Sequence, residues 1–196
     1  LSGAPLPRHV GPLVADLSDD LQRTDWSLPT QFETVSFAVN GLGHGVWKPS
    51  SCRRIAIVSP FCDADALKML TELESKKEPC LVSRSEELVS LPPAVLERFA
   101  EISVLDELAE NEDGEGDDSD DEGTAPMSGL HAKAFVQDIG WDTAITIGSG
   151  NATRPALMTG RNVEVFATLT GKRSKVGSVA DILGPDGFGR VLRPFR

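Results

Sequence analysis

Two short segments hold the residue types that chemistry on an oxyanion requires. In LHAKAFVQD (130 to 138), His131 and Lys133 stand two positions apart. If 129 to 137 is a strand, its two-residue period projects both from one face and leaves Ala132, Ala134 and Val136 on the other. Packing alone would not select that pair for a buried face, because Lys is almost never buried unpaired. GSGN (148 to 151) follows as a turn of small residues. From Gly148, Ser149, Gly150 and Asn151, backbone N–H groups, the Ser149 hydroxyl and the Asn151 amide can converge on an oxyanion. Thr153 can cap a short helix whose N-terminus adds a favourable dipole, and Arg154 beside it is placed either to touch a substrate or to sit in solvent. A lone His in a strand, or a lone GSGN, most often means an ordinary packed residue or a plain turn. Their occurrence together is what points to a phosphate site.

His131, Lys133 and Asp138 have the spacing H-x-K-x4-D, and with GSGN after them the segment resembles the HKD motif of the phospholipase D superfamily. Six specified residues at these spacings arise by chance on the order of once in 10,000 chains of this length. The resemblance is detailed over residues 128 to 170, and IAIVSPFCDADAL upstream looks like the opening strand and helix of such a domain. One departure is the nine residues between Asp138 and Gly148, more than is typical of the motif, which suggests a longer hairpin at IGWD.

The resemblance implies an α/β phospholipase D-like sandwich, a mixed β-sheet with helices on both faces. It also implies a phosphodiesterase that needs neither metal nor other cofactor. In the family a His attacks the phosphodiester phosphorus to give a phosphohistidine, and a His from a second HKD motif protonates the leaving oxygen. Mapped here, His131 is the nucleophile, while Lys133, Ser149 and Asn151 stabilise charge on the non-bridging oxygens, with Gly148, Gly150 and Arg154 as substrate-binding positions. On a regular strand Asp138 falls opposite His131 at the strand's end, so a structural role is expected for it. Glu164, in NVEVF, is expected to hold the His131 imidazole in the tautomer that leaves the attacking nitrogen free, and family members often carry an acid on that strand.

The elements expected to position these groups alternate between strand and helix, the pattern of an α/β layer architecture. Strands are expected at 32 to 39, 53 to 61, 80 to 83, 101 to 105, 129 to 137, 143 to 150 and 162 to 170. One helix is expected after Asp63, with Ala66, Leu67, Leu70 and Leu73 on one face, another from Pro92 and Pro93 through Phe99, and a third at 174 to 183. Residues 1 to 30 read as a linker with a short docking helix, marked by Leu13, Val14, Leu17 and Leu21. The domain proper is 31 to 196, interrupted at about 108 to 127 by an acidic loop expected to be disordered. The loop GLGHG (41 to 45) reads as a turn, since no helix follows it.

The 196 residues suffice for one domain, and the formal charge of −11 would by itself argue against a polyanionic partner. Its distribution changes that conclusion. The run from Glu110 to Glu122 supplies −9, whereas from Gly129 to Arg196 nine Lys and Arg stand against five Asp and Glu, a balance of +4. Lys172, Arg173 and Lys175 could track phosphates or be a solvated helix start. Nine negative charges so close to His131 could compete with a polyanionic substrate, or serve only as a solvating spacer.

Cys52, Cys62 and Cys80 lie at wide spacing with no neighbouring His, and are expected to be reduced thiols without a metal. No apolar run is long enough to span a membrane and no signal-peptide pattern opens the chain, so a cytoplasmic location is expected. Only one HKD motif is present. The second half-site is therefore expected from a homodimer or from an N-terminal half cut away, an option that the opening Leu1 favours. The substrate reading favours nucleic acid over lipid, because the basic residues surround the motif and no lipid-targeting segment is found. A phospholipid-hydrolysing enzyme and a non-catalytic phosphate-binding half-site are the alternatives.

Overall fold

RIAIV has no polar residue after its first position, as a strand covered on both faces requires. It forms β2 (Arg54–Val58) at the interior of an eight-stranded sheet in a computed structural model that describes residues 7–42, 47–76, 78–106 and 129–196. The other strands are β1 (Thr34–Asn40), β3 (Cys80–Val82), β4 (Glu101–Leu105), β5 (Ala134–Ile139), β6 (Asp142–Gly148), β7 (Glu164–Lys172) and β8 (Leu192–Pro194). Their order is β1-β7-β6-β5-β2-β3-β4-β8. β2, β3 and β4 are parallel, and every other pairing is antiparallel.

The parallel strands need crossovers, and helices supply them. α2 (Ala64–Glu72) joins β2 to β3, while α3 (Ser85–Ser90) and α4 (Pro93–Leu96) join β3 to β4. α2 puts Ala66, Leu67 and Leu70 against Ile55, Ile57 and Leu81 of the sheet, and α3 adds Leu88. α5 (Arg154–Leu157) joins this layer through Ala156 and Leu157, next to Phe135 and Phe166. The opposite face, through Ala56, Val58, Val82 and Val136, is covered by α6 (Arg173–Val176), α7 (Val179–Ile182) and the 3-10 turn Phe188–Val191. Helices thus lie on both faces of a mixed sheet.

Several elements differ from the sequence reading. The helix expected at 174 to 183 is two short helices, because Gly177 takes φ +92° between them and Ser178 starts a new capping box with Asp181. The expected helix after Asp63 stops at Glu72, and Glu74 bridges to Cys52 beyond it. α3 and β8 were not foreseen. The hairpin between β5 and β6 turns on only Gly140 and Trp141, with φ +57° at Gly140, so the extra residues of the motif lengthen the paired strands and not the turn.

Residues to Thr30 form a separate compact unit whose helix, α1 (Val10–Arg23), exposes Leu13, Val14, Leu17 and Leu21. Thr24 Oγ1 donates to Asp20 O (2.7 Å) and Trp26 Nε1 to Leu21 O (2.9 Å), which closes the helix end. Most of the GLGHG turn and the acidic segment fall outside the described residues. No described helix is long and apolar enough to cross a membrane.

Candidate active site

The carboxyl ends of β2, β3 and β6 and the amino ends of the antiparallel β5 and β7 meet at one edge of the sheet. This is the edge at which open α/β sheets place their ligand sites. His131 and Lys133 arrive there on an extended lead-in, since β5 begins only at Ala134. Without ladder pairing, the face assignment from strand period does not apply to them. Other contacts fix the segment. Leu130 is buried beneath it, Arg84 Nε donates to Leu130 O (3.0 Å), and Lys133 Nζ donates to His131 O (3.0 Å). Arg84 Nη2 lies 3.5 Å from His131 Nε2.

Ser149 leaves β6 and lies against the start of β7. Its N–H donates to Val165 O (3.0 Å), its Oγ accepts from Val165 N (3.1 Å), and the same hydroxyl donates to Glu164 Oε2 through a short bond. Glu164 is 7% exposed, and its other oxygen accepts from Asn162 Nδ2 at 3.2 Å. The carboxylate keeps lone pairs beyond these two bonds, so a further donor such as an imidazole N–H can be accommodated. The one O–H of Ser149 is already engaged as the donor to Glu164. It can face a phosphate only by exchanging that partner.

The turn is held from behind by the loop after β2. Ala152 N donates to Ser59 Oγ (2.9 Å), Ser59 Oγ donates to Phe61 O (2.6 Å), and Asp63 N donates to Ala152 O (3.1 Å). Asp63 then caps two helices with one carboxylate: Oδ1 accepts from Ala66 N (2.9 Å) in α2, and Oδ2 accepts from Arg154 N at the start of α5.

One expectation is corrected by this arrangement. The start of α5 is occupied by the protein's own carboxylate, and Thr153 makes no side-chain cap, so this terminus offers no open anion site. The N–H groups of Ser149, Ala152, Thr153 and Arg154 have protein acceptors, whereas those of Gly150 and Asn151 have none among the described residues and remain the turn's backbone donors.

Gly148 and Gly150 are needed for packing. A Cβ at Gly148 would lie 2.1 Å from Val165 O, and one at Gly150 would lie 2.3 Å from the Phe166 ring. Asn151 Oδ1 is buried without a partner among the described residues, an arrangement that costs about 1–3 kcal/mol and is characteristic of sites. Arg154 pairs with Asp65 (3.2 Å) on the surface and does not line the groove described below. Asp138, far along β5, accepts from Val179 N (3.1 Å) and lies 3.8 Å from Arg173 Nε, which ties α6 and α7 to the sheet.

His131, Lys133, Gly148 and Ser149 line the end of a groove of about 570 Å³ whose floor is apolar. The floor is the cross-strand row Phe37, Ala167, Ile147 and Ala134, with Val165 beside it. Phe37 is 73% exposed, Ile147 48% and Val165 50%, so among the described residues no layer covers this part of the sheet. All three cysteines are free and buried. Cys62 is close to the site, but burial pushes its thiol up to about 11, so it stays protonated near neutrality and is a poor nucleophile. Among the described residues no three His, Cys, Asp or Glu side chains converge as metal ligands.

Sequence reasoning missed Ser59, the second bond of Asp63, and Arg84. Ser59 and Arg84 each stand just beyond the carboxyl end of a parallel strand, and that position was the available signal.

The architecture defined here is an α/β sandwich on a mixed eight-stranded sheet, with a polar constellation at one edge. It is similar in fold to NucT from Helicobacter pylori, at 15% identity and a TM-score of 0.41, over 69% of this chain and 86% of that one. It is also similar to yeast tyrosyl-DNA phosphodiesterase, at 11% identity and a TM-score of 0.42, over 69% of this chain but only 32% of the yeast chain. No family model matches the sequence, and no curated protein does.

Proposed function

We propose that this chain carries one catalytic half-site of a phospholipase D-like phosphodiesterase that acts on nucleic acid. The observation that carries the reading is the meeting of His131, Lys133 and Ser149 in one groove, with Glu164 buried behind Ser149. His131, Lys133 and the GSGN residues supply a nucleophile and anion-binding groups of the kind that in-line displacement at phosphorus uses. His131 Nε2 attacks phosphorus and the leaving oxygen departs with a proton from a second acid; water then attacks the phosphohistidine and frees the imidazole. Lys133 and the Asn151 amide offset charge on the non-bridging oxygens, where fixed donors are worth most. Glu164 orients the imidazole by accepting from its second nitrogen.

The acid has to come from a second half-site. The uncovered apolar floor beside His131 is where that half would pack, whether it belongs to a second copy or to another segment of a longer chain. Nucleic acid is favoured over lipid by the balance of +4 in residues 129 to 196.

The test is hydrolysis of single-stranded DNA, double-stranded DNA and phosphatidylcholine vesicles in EDTA, by the wild type and by His131→Ala and Lys133→Ala. DNA cleavage that survives chelation and disappears in both variants is expected. Activity lost to EDTA and restored by a divalent ion would overturn the metal-free mechanism, and vesicle hydrolysis without DNA cleavage would favour the lipid alternative.

A further inference from the structure

Arg84 is held in a way that packing does not explain. It follows β3 and caps no helix with its side chain. Its Nε donates to Leu130 O at 3.0 Å, and its guanidinium carbon lies 5.0 Å from the centroid of the Phe61 ring, a cation–π distance. Its Nη2 lies 3.5 Å from His131 Nε2. No carboxylate among the described residues pairs with it.

A guanidinium is always protonated, so toward His131 it can act only as a donor. The contact therefore suits an imidazole whose Nε2 carries the lone pair, which is the nitrogen that must attack. Two anchors fix the plane and one end of the fork, and the other end is left facing the nucleophile. A permanent cation so placed, with no carboxylate among the described residues paired to it, is set up to receive an anion. Lys could not do the same, since a single ammonium cannot bond Leu130 O, stack on Phe61 and reach His131 together.

We propose that Arg84 is a phosphate-binding residue of this site: anchored on Leu130 O and the Phe61 ring, it transfers its Nη2 from His131 Nε2 to a non-bridging oxygen of the incoming phosphodiester. This rests on the reading of His131 as nucleophile. The exchange uncovers the lone pair of His131 at the moment the phosphate is seated, so binding and activation of the nucleophile are one event. It also gives the site a fixed positive donor beside His131.

The experiment compares wild type, His131→Ala, Arg84→Lys and Arg84→Met, the last keeping an unbranched stem against Phe61. The readouts are hydrolysis of bis-p-nitrophenyl phosphate and calorimetric binding of tungstate, a tetrahedral oxyanion, with thermal melting as a check on folding. For Arg84→Met we expect kcat/KM to fall about 100-fold and tungstate affinity to fall about tenfold. Added ethylguanidine should restore part of the rate, and Arg84→Lys should lie between Met and wild type. A purely structural Arg84 would lower the melting point but would leave the tungstate affinity of the folded protein unchanged and would give no rescue; that result overturns the proposal while the hydrolase reading stands. Tungstate binding that depends on Arg84 in a wild type that hydrolyses nothing would uphold the anion site and reject a hydrolase completed by two copies of this chain. A folded wild type that neither hydrolyses nor binds tungstate rejects both.

Discussion

Asp63→Ala removes one carboxylate that caps two helices, and its cost can be worked from those bonds. Loss of the N-cap on α2, where Oδ1 accepts from Ala66 N at 2.9 Å, costs about 1 kcal/mol. Loss of the charge-assisted bond from Arg154 N costs about 2 kcal/mol, at the lower end for charged acceptors because water can reach that N–H. The total is about 3 kcal/mol, or roughly 6–12 °C in melting temperature for a chain of this size. Asp63→Asn separates the two contributions. Asn caps a helix as well as Asp does, but its amide nitrogen cannot accept from Arg154 N, so the variant should lose about 2 kcal/mol and leave α2 capped. Circular dichroism melts give the stabilities. Single-turnover hydrolysis at a temperature where each variant is folded gives the second readout: Asp63 fixes Ala152 to Arg154 behind Ser149, so both variants should also be slower. An Asp63→Ala protein that melts within about 2 °C of wild type would refute the reasoning, and so would a rate unchanged in the folded protein.

Asp138→Ala should lower stability by about 2–4 kcal/mol, because it orphans the buried Val179 N–H and removes the carboxylate facing Arg173, whose Nη2 keeps only Gly140 O, and should lower the rate of the folded fraction far less; inactivity at unchanged melting temperature would give Asp138 a chemical role. Glu74 is 1% exposed with neither oxygen hydrogen-bonded among the described residues, and burial pushes its carboxyl above 4.5. The folded state then holds the proton more tightly than the unfolded state, so the associated stability is present below 4.5 and is lost as pH rises through the folded-state value. Glu74→Gln should therefore melt higher than wild type near neutrality, with an advantage that shrinks toward pH 4.5; an advantage that grows on acidification would contradict this. Ile147→Asp, on the half-exposed groove floor, should change stability by no more than about 0.5 kcal/mol but abolish hydrolysis by excluding the second half-site. Full activity in that variant would remove the floor as the packing surface.

The parts of this fold legible in the sequence were those set by local period. The continuous apolar run of β2, the alternation in β6 and β7, and Asp63 ahead of α2 all matched, because burial pattern and capping act within a few residues. α3 has only six residues, SEELVS, too few for a helical period to emerge. The division of 173 to 182 depends on the backbone sign at Gly177, which spacing alone does not reveal. The motif residues could be read because their spacing is fixed along the chain. Arg84, 47 positions from His131, could not, since only the parallel pairing of β2 and β3 and the antiparallel pairing of β2 and β5 carry it to that edge. The use of the N–H groups of Ser149, Ala152 and Arg154 by Val165, Ser59 and Asp63 was illegible for a related reason, since those partners lie on other strands and loops.

The central claim is that His131 becomes covalently bonded to phosphorus. Wild-type protein in EDTA should be mixed with a single-stranded oligonucleotide, quenched in alkali during turnover, digested and analysed by mass spectrometry. The account predicts a phosphoryl or nucleotidyl adduct on the peptide carrying His131, stable in alkali, released in acid, and absent from His131→Ala. Steady hydrolysis with no adduct, an adduct on another residue, or cleavage by His131→Ala at the wild-type rate would contradict it.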